Sequence, residues 1–156
     1  MCRTSIEKTI LGAWHLVSWI VDTRDSQERT LAVNEPFGSS PMGLILYSQD
    51  HWMSAIVHKQ ERPYFDKHQS PRSLDDAIIA DAFRSYFNYA GPWRIEDSCV
   101  IHSVQHALNP NMVGTEQRRE VTFIERQLQL VGYEQLADSS RKHTLLWSRD
   151  NGQEQS

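Results

Sequence analysis

His102 and His106 stand four residues apart in the segment Cys99-Val-Ile-His-Ser-Val-Gln-His-Ala-Leu108. Imidazole titrates near neutral pH, so either ring could pass a proton. The segment is rich in β-branched residues and reads as a strand. At about 3.3 Å per residue, four residues of strand separate the two rings by roughly 13 Å, too far for them to share one metal ion easily. The pair therefore reads as two levels of one wall, alternating with Val100, Val104 and Leu108. Further on, Gln117, Arg119, Val121 and Phe123 share a strand face, and the need to bury Val121 and Phe123 carries Gln117 and Arg119 inward with them. A guanidinium in a low-dielectric cavity can hold a carboxylate or steady a forming enolate. Two histidines, an amide and a guanidinium would suffice for a proton-shuffling isomerisation or an additive ring closure, with no metal and no cofactor. The same residues also admit structural readings. His102, for one, suits a hydrogen-bonded core histidine.

The elements that must position these residues are mostly strands. Gly12 to Asp22 is aromatic and β-branched, with Trp14, Leu16, Ser18 and Ile20 on one face and His15, Val17, Trp19 and Val21 on the other; both faces are apolar. A helical turn over Ser5 to Leu11 precedes it, and a short strand at Thr30 to Val33 follows. Gly43 to Ser48 and His51 to His58 form a hairpin about Gln49-Asp50. On the second of these strands either Trp52 or Met53 lies on the inward face. One amphipathic helix is predicted at about 74–90, packed on the sheet through Ile79, Ala82, Phe83, Tyr86, Phe87 and Ala90. Ser73 caps it, Asp76 stands at the capping-box position, and Gly91-Pro92 ends it. Strands follow at Trp93 to Glu96, Val100 to Leu108, Gln117 to Ile124, Leu128 to Tyr133 and Thr144 to Arg149. Eight or nine strands in a meander of hairpins predict an all-β, antiparallel barrel, which removes exposed edges and encloses a ligand-sized interior. The candidate contacts for a molecule in that interior are Trp52, Met53, Tyr86, Trp93, Gln117 and Trp147.

The 156 residues suit one domain over 1–150, with 151–156 a frayed polar tail. Sixteen basic against 20 acidic side chains leave a net charge of −4, which argues against a nucleic-acid partner. No apolar run approaches a membrane span, and the stretch Ile10 to Val21 is broken by His15 and Ser18, so no signal peptide is expected. Cys2 and Cys99 make neither a disulfide framework nor a Cys-x-x-Cys site. The expectation is a cytoplasmic protein, monomeric or homodimeric. There is no Gly-x-Ser-x-Gly elbow, no P-loop and no Gly-x-Gly-x-x-Gly turn.

Gly12-Ala13-Trp14 resembles the Gly-x-Trp signature of lipocalins, in which the Trp plugs one barrel end. The likeness extends through Pro36-Phe37-Gly38, Gly43-Leu-Ile-Leu-Tyr47, Met53-Ser54-Ala55, Tyr86 with Tyr89, Pro110-Asn-Met-Val-Gly-Thr-Glu-Gln117, Arg119 and Trp147-Ser-Arg149. Together these resemble the small lipocalin-like domain family of bacterial and fungal proteins, from about Leu11 to Arg149. The resemblance implies a lipocalin-like barrel, and with it a structural reading of Arg119 as a barrel-closing latch over Trp14 or Trp147, a place for which Arg149 competes. Some fungal relatives are implicated in natural-product pathways as cofactor-free cyclases or isomerases, which implies that activity as a possibility here. Met112 replaces a common aromatic and His106 a common small residue. The leading expectation is thus a cyclase or isomerase of a hydrophobic secondary-metabolite intermediate, with His102, His106 and Arg119 catalytic. The alternative is a carrier of a small hydrophobic ligand.

Overall fold

The computed structural model describes residues 3–150, so the tail expected at 151–156 lies outside the described residues. Its order is α1 (Arg3–Ile10), β1 (Gly12–Asp25), β2 (Thr30–Asn34), β3 (Met42–Tyr47), β4 (Trp52–His58), α2 (Asp76–Arg84), β5 (Tyr86–Glu96), β6 (Cys99–Ser103), β7 (His106–Ala107), β8 (Glu116–Ile124), β9 (Gln127–Gln135) and β10 (Ser139–Ser148), with short 3₁₀ turns at Pro71–Ser73 and Pro110–Met112. Neighbouring strands run antiparallel in the order β10-β9-β8-β6-β5-β4-β3-β1, and β1 pairs back onto β10. Eight strands thus close a barrel. The remaining two are outside that circuit: β2 extends the second half of β1, and β7 folds onto β5.

The two apolar faces of β1 are explained by a bulge. Leu16 faces Trp147 and Ser18 faces Leu146, so Val17 is an extra residue in the ladder to β10. Before the bulge Trp14 and Leu16 are buried; beyond it Trp19 and Val21 turn inward. The strand changes sides, leaving Val17 and Ile20 exposed.

One barrel end is plugged. Helix α1 buries Ile6 and Ile10, and the Trp14 indole donates to the Ile10 carbonyl at 2.8 Å. The Arg149 guanidinium lies 3.9 Å from the centre of the Trp14 ring and donates to the Thr9 carbonyl at 2.7 Å. Arg149 is therefore the latch, which leaves Arg119 free of that role.

The helix is shorter than its periodicity predicts. Residues 86–90 belong to β5, and Asp75, not Ser73, is the N-cap residue, without a side-chain cap bond. In Tyr86-Phe87-Asn88-Tyr89-Ala90-Gly91-Pro92-Trp93 the aromatic residues satisfy a period of two as well as a helical stripe. The ladder to β4, from His58↔Tyr86 to Trp52↔Pro92, decides between them. Nor does α2 pack as expected: none of its residues is buried, and Phe83 is 51% exposed.

Gly91 is central to β5 for a steric reason. A Cβ there would lie 1.9 Å from the Ser103 carbonyl oxygen, a backbone atom that cannot swing away. The β6–β7 chain presses onto β5 at this point, with Gln105 N–H donating to the Ala90 carbonyl at 2.9 Å. Gly91→Ala is expected to cost about 3 kcal/mol or more of stability through forced displacement of β6. Urea unfolding of the variant measures this; a loss under about 1 kcal/mol would show that the contact relaxes freely.

Candidate functional site

The two histidines that share a strand in the sequence do not share a face in the fold. Val100, His102 and Val104 are buried, His102 completely. At Val104–Gln105 the chain leaves β6, and Val104 exchanges hydrogen bonds with Gly114 and Thr115. When pairing resumes at β7, parity has flipped: Ala107 packs against the core and His106 is exposed. The expected inward placement of His106 is therefore corrected. The bulge is possible because Gly91 has no side chain to obstruct it.

His102 lies between two tyrosines. Its Nε2 is 2.8 Å from the Tyr47 hydroxyl and its Nδ1 is 2.8 Å from the Tyr89 hydroxyl. Tyr47 and Tyr89 project inward from β3 and β5 and are buried. Desolvation, helped by the charge of Arg119, pushes the His102 pKa down to about 3. The ring is thus neutral at ordinary pH, with one donor and one acceptor nitrogen, each matched to a hydroxyl. Burial raises both tyrosine pKa values, and Arg119, as a charge and as a donor, opposes the rise at Tyr89. His102 is better placed to orient Tyr89 than to take a proton from a ligand.

Along β8, Gln117, Arg119, Val121 and Phe123 alternate inward as expected, while Glu116 faces out and pairs with Arg94 at 2.7 Å. Arg119 donates to the Gln117 side chain at 3.1 Å and to the Arg118 carbonyl at 3.0 Å. Among the described residues it has no carboxylate partner. Its guanidinium lies over Gly132, where an added Cβ would sit 2.3 Å from Nη1. Gly132 makes room for that charge on the lumen wall. The β8–β9 ladder runs from Ile124↔Gln127 to Glu120↔Val131 and no further, although both strands continue. Arg119 stands where the two strands part.

A cavity of about 830 Å³ occupies the lumen, lined on its apolar side by Ile45, Val57, Phe87, Leu130, Leu145 and Trp147, and on its polar side by Tyr89, Gln117 and Arg119. That volume is within the range of small-molecule sites. Exposed Glu116, Arg118 and Tyr133 also border it, so it reaches the surface where β8 and β9 diverge. At the rim, Trp19 donates its indole N–H to His143 Nδ1 at 3.3 Å, and His143 Nε2 is 3.3 Å from Glu134. Indole can only donate, so Nδ1 is the acceptor and Nε2 carries the proton. Burial lowers the His143 pKa more than Glu134 raises it.

Of the expected ligand contacts, Gln117 and Trp147 line the cavity and four do not. Trp52 faces outward and is 44% exposed, because Met53, Ala55 and Val57 take the inward parity of β4. Met53 is inward but packs in the core outside the cavity lining. Tyr86 faces out on β5, stacked on His58 and under the Arg62 guanidinium at 5.0 Å. Trp93 packs on Tyr47 and borders a separate small recess beside α1. Tyr89, Trp19 and His143 line the cavity and were not among the expected contacts; Tyr47 and Gly132 act behind the lining, through His102 and Arg119. For Tyr89 the signal was the inward run Phe87, Tyr89, Gly91, Trp93, concealed by its helical reading.

An eight-stranded antiparallel barrel, plugged at one end and hollow enough for a ligand, is the architecture of a protein that takes a small molecule into its lumen. The chain belongs to the lipocalin-like domain family, whose model matches residues 11–150. No curated protein matches it.

His102 generates a prediction of defined sign. In the fold it stays neutral down to about pH 3, whereas unfolded it protonates near 6.5. Between those values the unfolded chain binds the extra proton, so stability is fully present above pH 6.5 and declines as pH falls toward 3. His102→Leu is expected to remove that component and to cost about 2–5 kcal/mol at neutral pH by leaving two buried hydroxyls without their partner. Urea unfolding across the pH range checks both. An acid-side slope identical in the two proteins would exclude His102 as its source.

Proposed function

We propose that the barrel binds one small, largely apolar molecule by an oxygen-bearing end, a carboxylate or a carbonyl, held at Arg119. The observation that carries this reading is a guanidinium with no carboxylate partner among the described residues, on the wall of an otherwise largely apolar cavity. A charge half-removed from water is stabilised by an opposing charge or a strong acceptor, and a ligand head group supplies one. Gln117 steadies the guanidinium, and Gly132 leaves it room to lie against the wall.

A second reading, a cofactor-independent isomerase or cyclase acting on a natural-product intermediate, is favoured by the Tyr89 hydroxyl. That group lines the cavity, is backed by His102 and stands beside Arg119. A phenol kept protonated by burial can donate a hydrogen bond to a substrate carbonyl and draw electron density toward its oxygen during a pericyclic or additive ring closure in which no proton leaves the substrate, while Arg119 stabilises the charge that develops on that oxygen. The apolar wall would fold a flexible substrate toward its reactive shape. In this reading Tyr89 and Arg119 contact the reacting atoms, His102 is a positioning residue, and His106 has no part.

The two readings separate by experiment. A neutral fluorescent naphthylamine should enter the wild-type cavity and be displaced by medium-chain carboxylates. Arg119→Gln should weaken carboxylate binding about 10–100-fold while retaining the neutral dye. Equal carboxylate affinity in the two proteins would remove Arg119 from recognition. For catalysis, Tyr89→Phe should lower the rate of ring closure of a carbonyl-bearing substrate about 100-fold with little change in binding; an unaltered rate would leave only the carrier.

A further inference from the structure

The cavity leaves the barrel through its wall. Strand β4 lines it only with Ala55 and Val57, and β5 only with Phe87 and Tyr89, alternate residues that face inward. Strand β8 lines it with every residue from Glu116 to Glu120, and β9 with Val131 and Tyr133 as well as Leu130 and Glu134. Successive strand residues point to opposite faces, so both faces line one cavity only where it passes between strands. That place is the gap between β8 and β9, beyond the last pair of their ladder, Glu120↔Val131.

Register decides what the gap presents. Val121 N–H donates to the Ser98 carbonyl and Val104 N–H to the Thr115 carbonyl, so odd-numbered residues of β8 turn their backbone groups to β6 and even-numbered ones to β9. Leu136 N–H donates to the Ser139 carbonyl, so even-numbered residues of β9 turn to β10 and odd-numbered ones to β8. The next hydrogen-bonded pair after Glu120↔Val131 would be Arg118 with Tyr133, and it is not formed. Both residues are exposed, and both border the gap. The Arg119 guanidinium answers the Arg118 carbonyl at 3.0 Å. The Arg118 N–H and the Tyr133 N–H and carbonyl have no hydrogen-bond partner across the gap among the described residues.

We infer that the ligand class is an N-acyl amino acid, with its acyl chain in the lumen, its amide in the gap between β8 and β9, and its carboxylate on Arg119. The inference rests on the reading of Arg119 as the carboxylate holder, and it adds the group next to that carboxylate. Two parted strand edges recognise what a strand supplies, a backbone amide. The ligand carbonyl accepts from the Arg118 N–H, and the ligand N–H donates to the Tyr133 carbonyl. In such a molecule the carboxylate follows directly on the carbon after the amide nitrogen, beside the guanidinium that already touches the Arg118 carbonyl. A simple fatty acid would leave both edges to water.

The test uses N-decanoylglycine, its ester analogue decanoyl glycolate, in which oxygen replaces the N–H, and tridecanoate, of equal length, each titrated against the bound naphthylamine. Wild type should bind the glycine conjugate about fivefold more tightly than the ester, the effect of one neutral hydrogen bond. Arg119→Gln should weaken all of these acids and keep that preference. Backbone amide exchange followed by NMR reads the gap without a variant. The Arg118 N–H should exchange fast in the unliganded protein and slow about tenfold with the glycine conjugate, but not with tridecanoate. If the acids displace the dye in an Arg119-dependent way, yet conjugate and ester bind equally or the Arg118 N–H keeps its rate, the amide site is overturned while the carboxylate reading stands. Slow exchange at Arg118 without ligand would mean that the two strands are already paired there, and would overturn the site as well. If no acid displaces the dye, the carboxylate reading fails and this inference with it.

Discussion

The pairing of β1 with β10 is the constraint on which the rest depends. Without it the molecule is an open sheet with two long edges, each a row of unpaired backbone groups. With it, eight strands enclose a lumen wide enough to hold one small ligand among the inward side chains. The pairing holds from His15↔Ser148 to Asp25↔Ser139, broken only at Val17. That break is functional in the geometric sense. It keeps Trp14 and Leu16 at the plug and turns Trp19 to the rim, so one strand serves both ends of the cavity.

The lumen is closed off on one side by apolar packing and organised on the other by a chain of polar contacts. Gln117 steadies Arg119, Arg119 stands beside Tyr89, Tyr89 meets His102, and His102 meets Tyr47. A neutral imidazole offers one donor and one acceptor. When Nδ1 carries the proton, Tyr89 accepts it and its own O–H is free for the lumen. When Nε2 carries it, the Tyr89 O–H is spent on Nδ1. The tautomer thus sets whether Tyr89 presents a donor to a ligand. A charged His102 would fix both nitrogens as donors and abolish the choice, which is how desolvation of this ring acts on the chemistry of a hydroxyl nearer the cavity.

Much of the barrel was legible in the sequence. Hairpins and β-branched runs marked most of the strands, and Gly12-Ala13-Trp14 with Arg149 marked the plug. The inward set Gln117, Arg119, Val121 and Phe123 followed from period two, because β8 has no bulge to disturb it. What failed did so for two physical reasons. In β5, aromatic spacing was compatible with both a helix and a strand, and the deciding energy was a ladder to β4 that local sequence does not contain. In β6–β7, uninterrupted alternation carried His106 inward, whereas a bulge against Gly91 turned it out. Gly91 was visible as a residue; that the Ser103 carbonyl would lie against it was a tertiary fact. His102 was read as either core or catalytic. Its position between two hydroxyls ties it into the core and connects it to the site through Tyr89.

Two bulges therefore select the chemistry of the lumen. Strand side chains alternate strictly, so one extra residue exchanges everything beyond it between wall and surface. The bulge at Val17 brings Trp19 to His143 at the rim, and the one at Val104–Gln105 sends His106 into solvent. Neither changes the composition of the chain or the number of strands. In a barrel of this size the inventory of ionisable groups in the cavity is thus determined less by which residues a strand contains than by where its ladder slips. Arg119 is the exception that clarifies the rule. It lies on an unbulged strand, and its guanidinium reaches the lumen because the β8–β9 ladder stops short of it and Gly132 leaves the space.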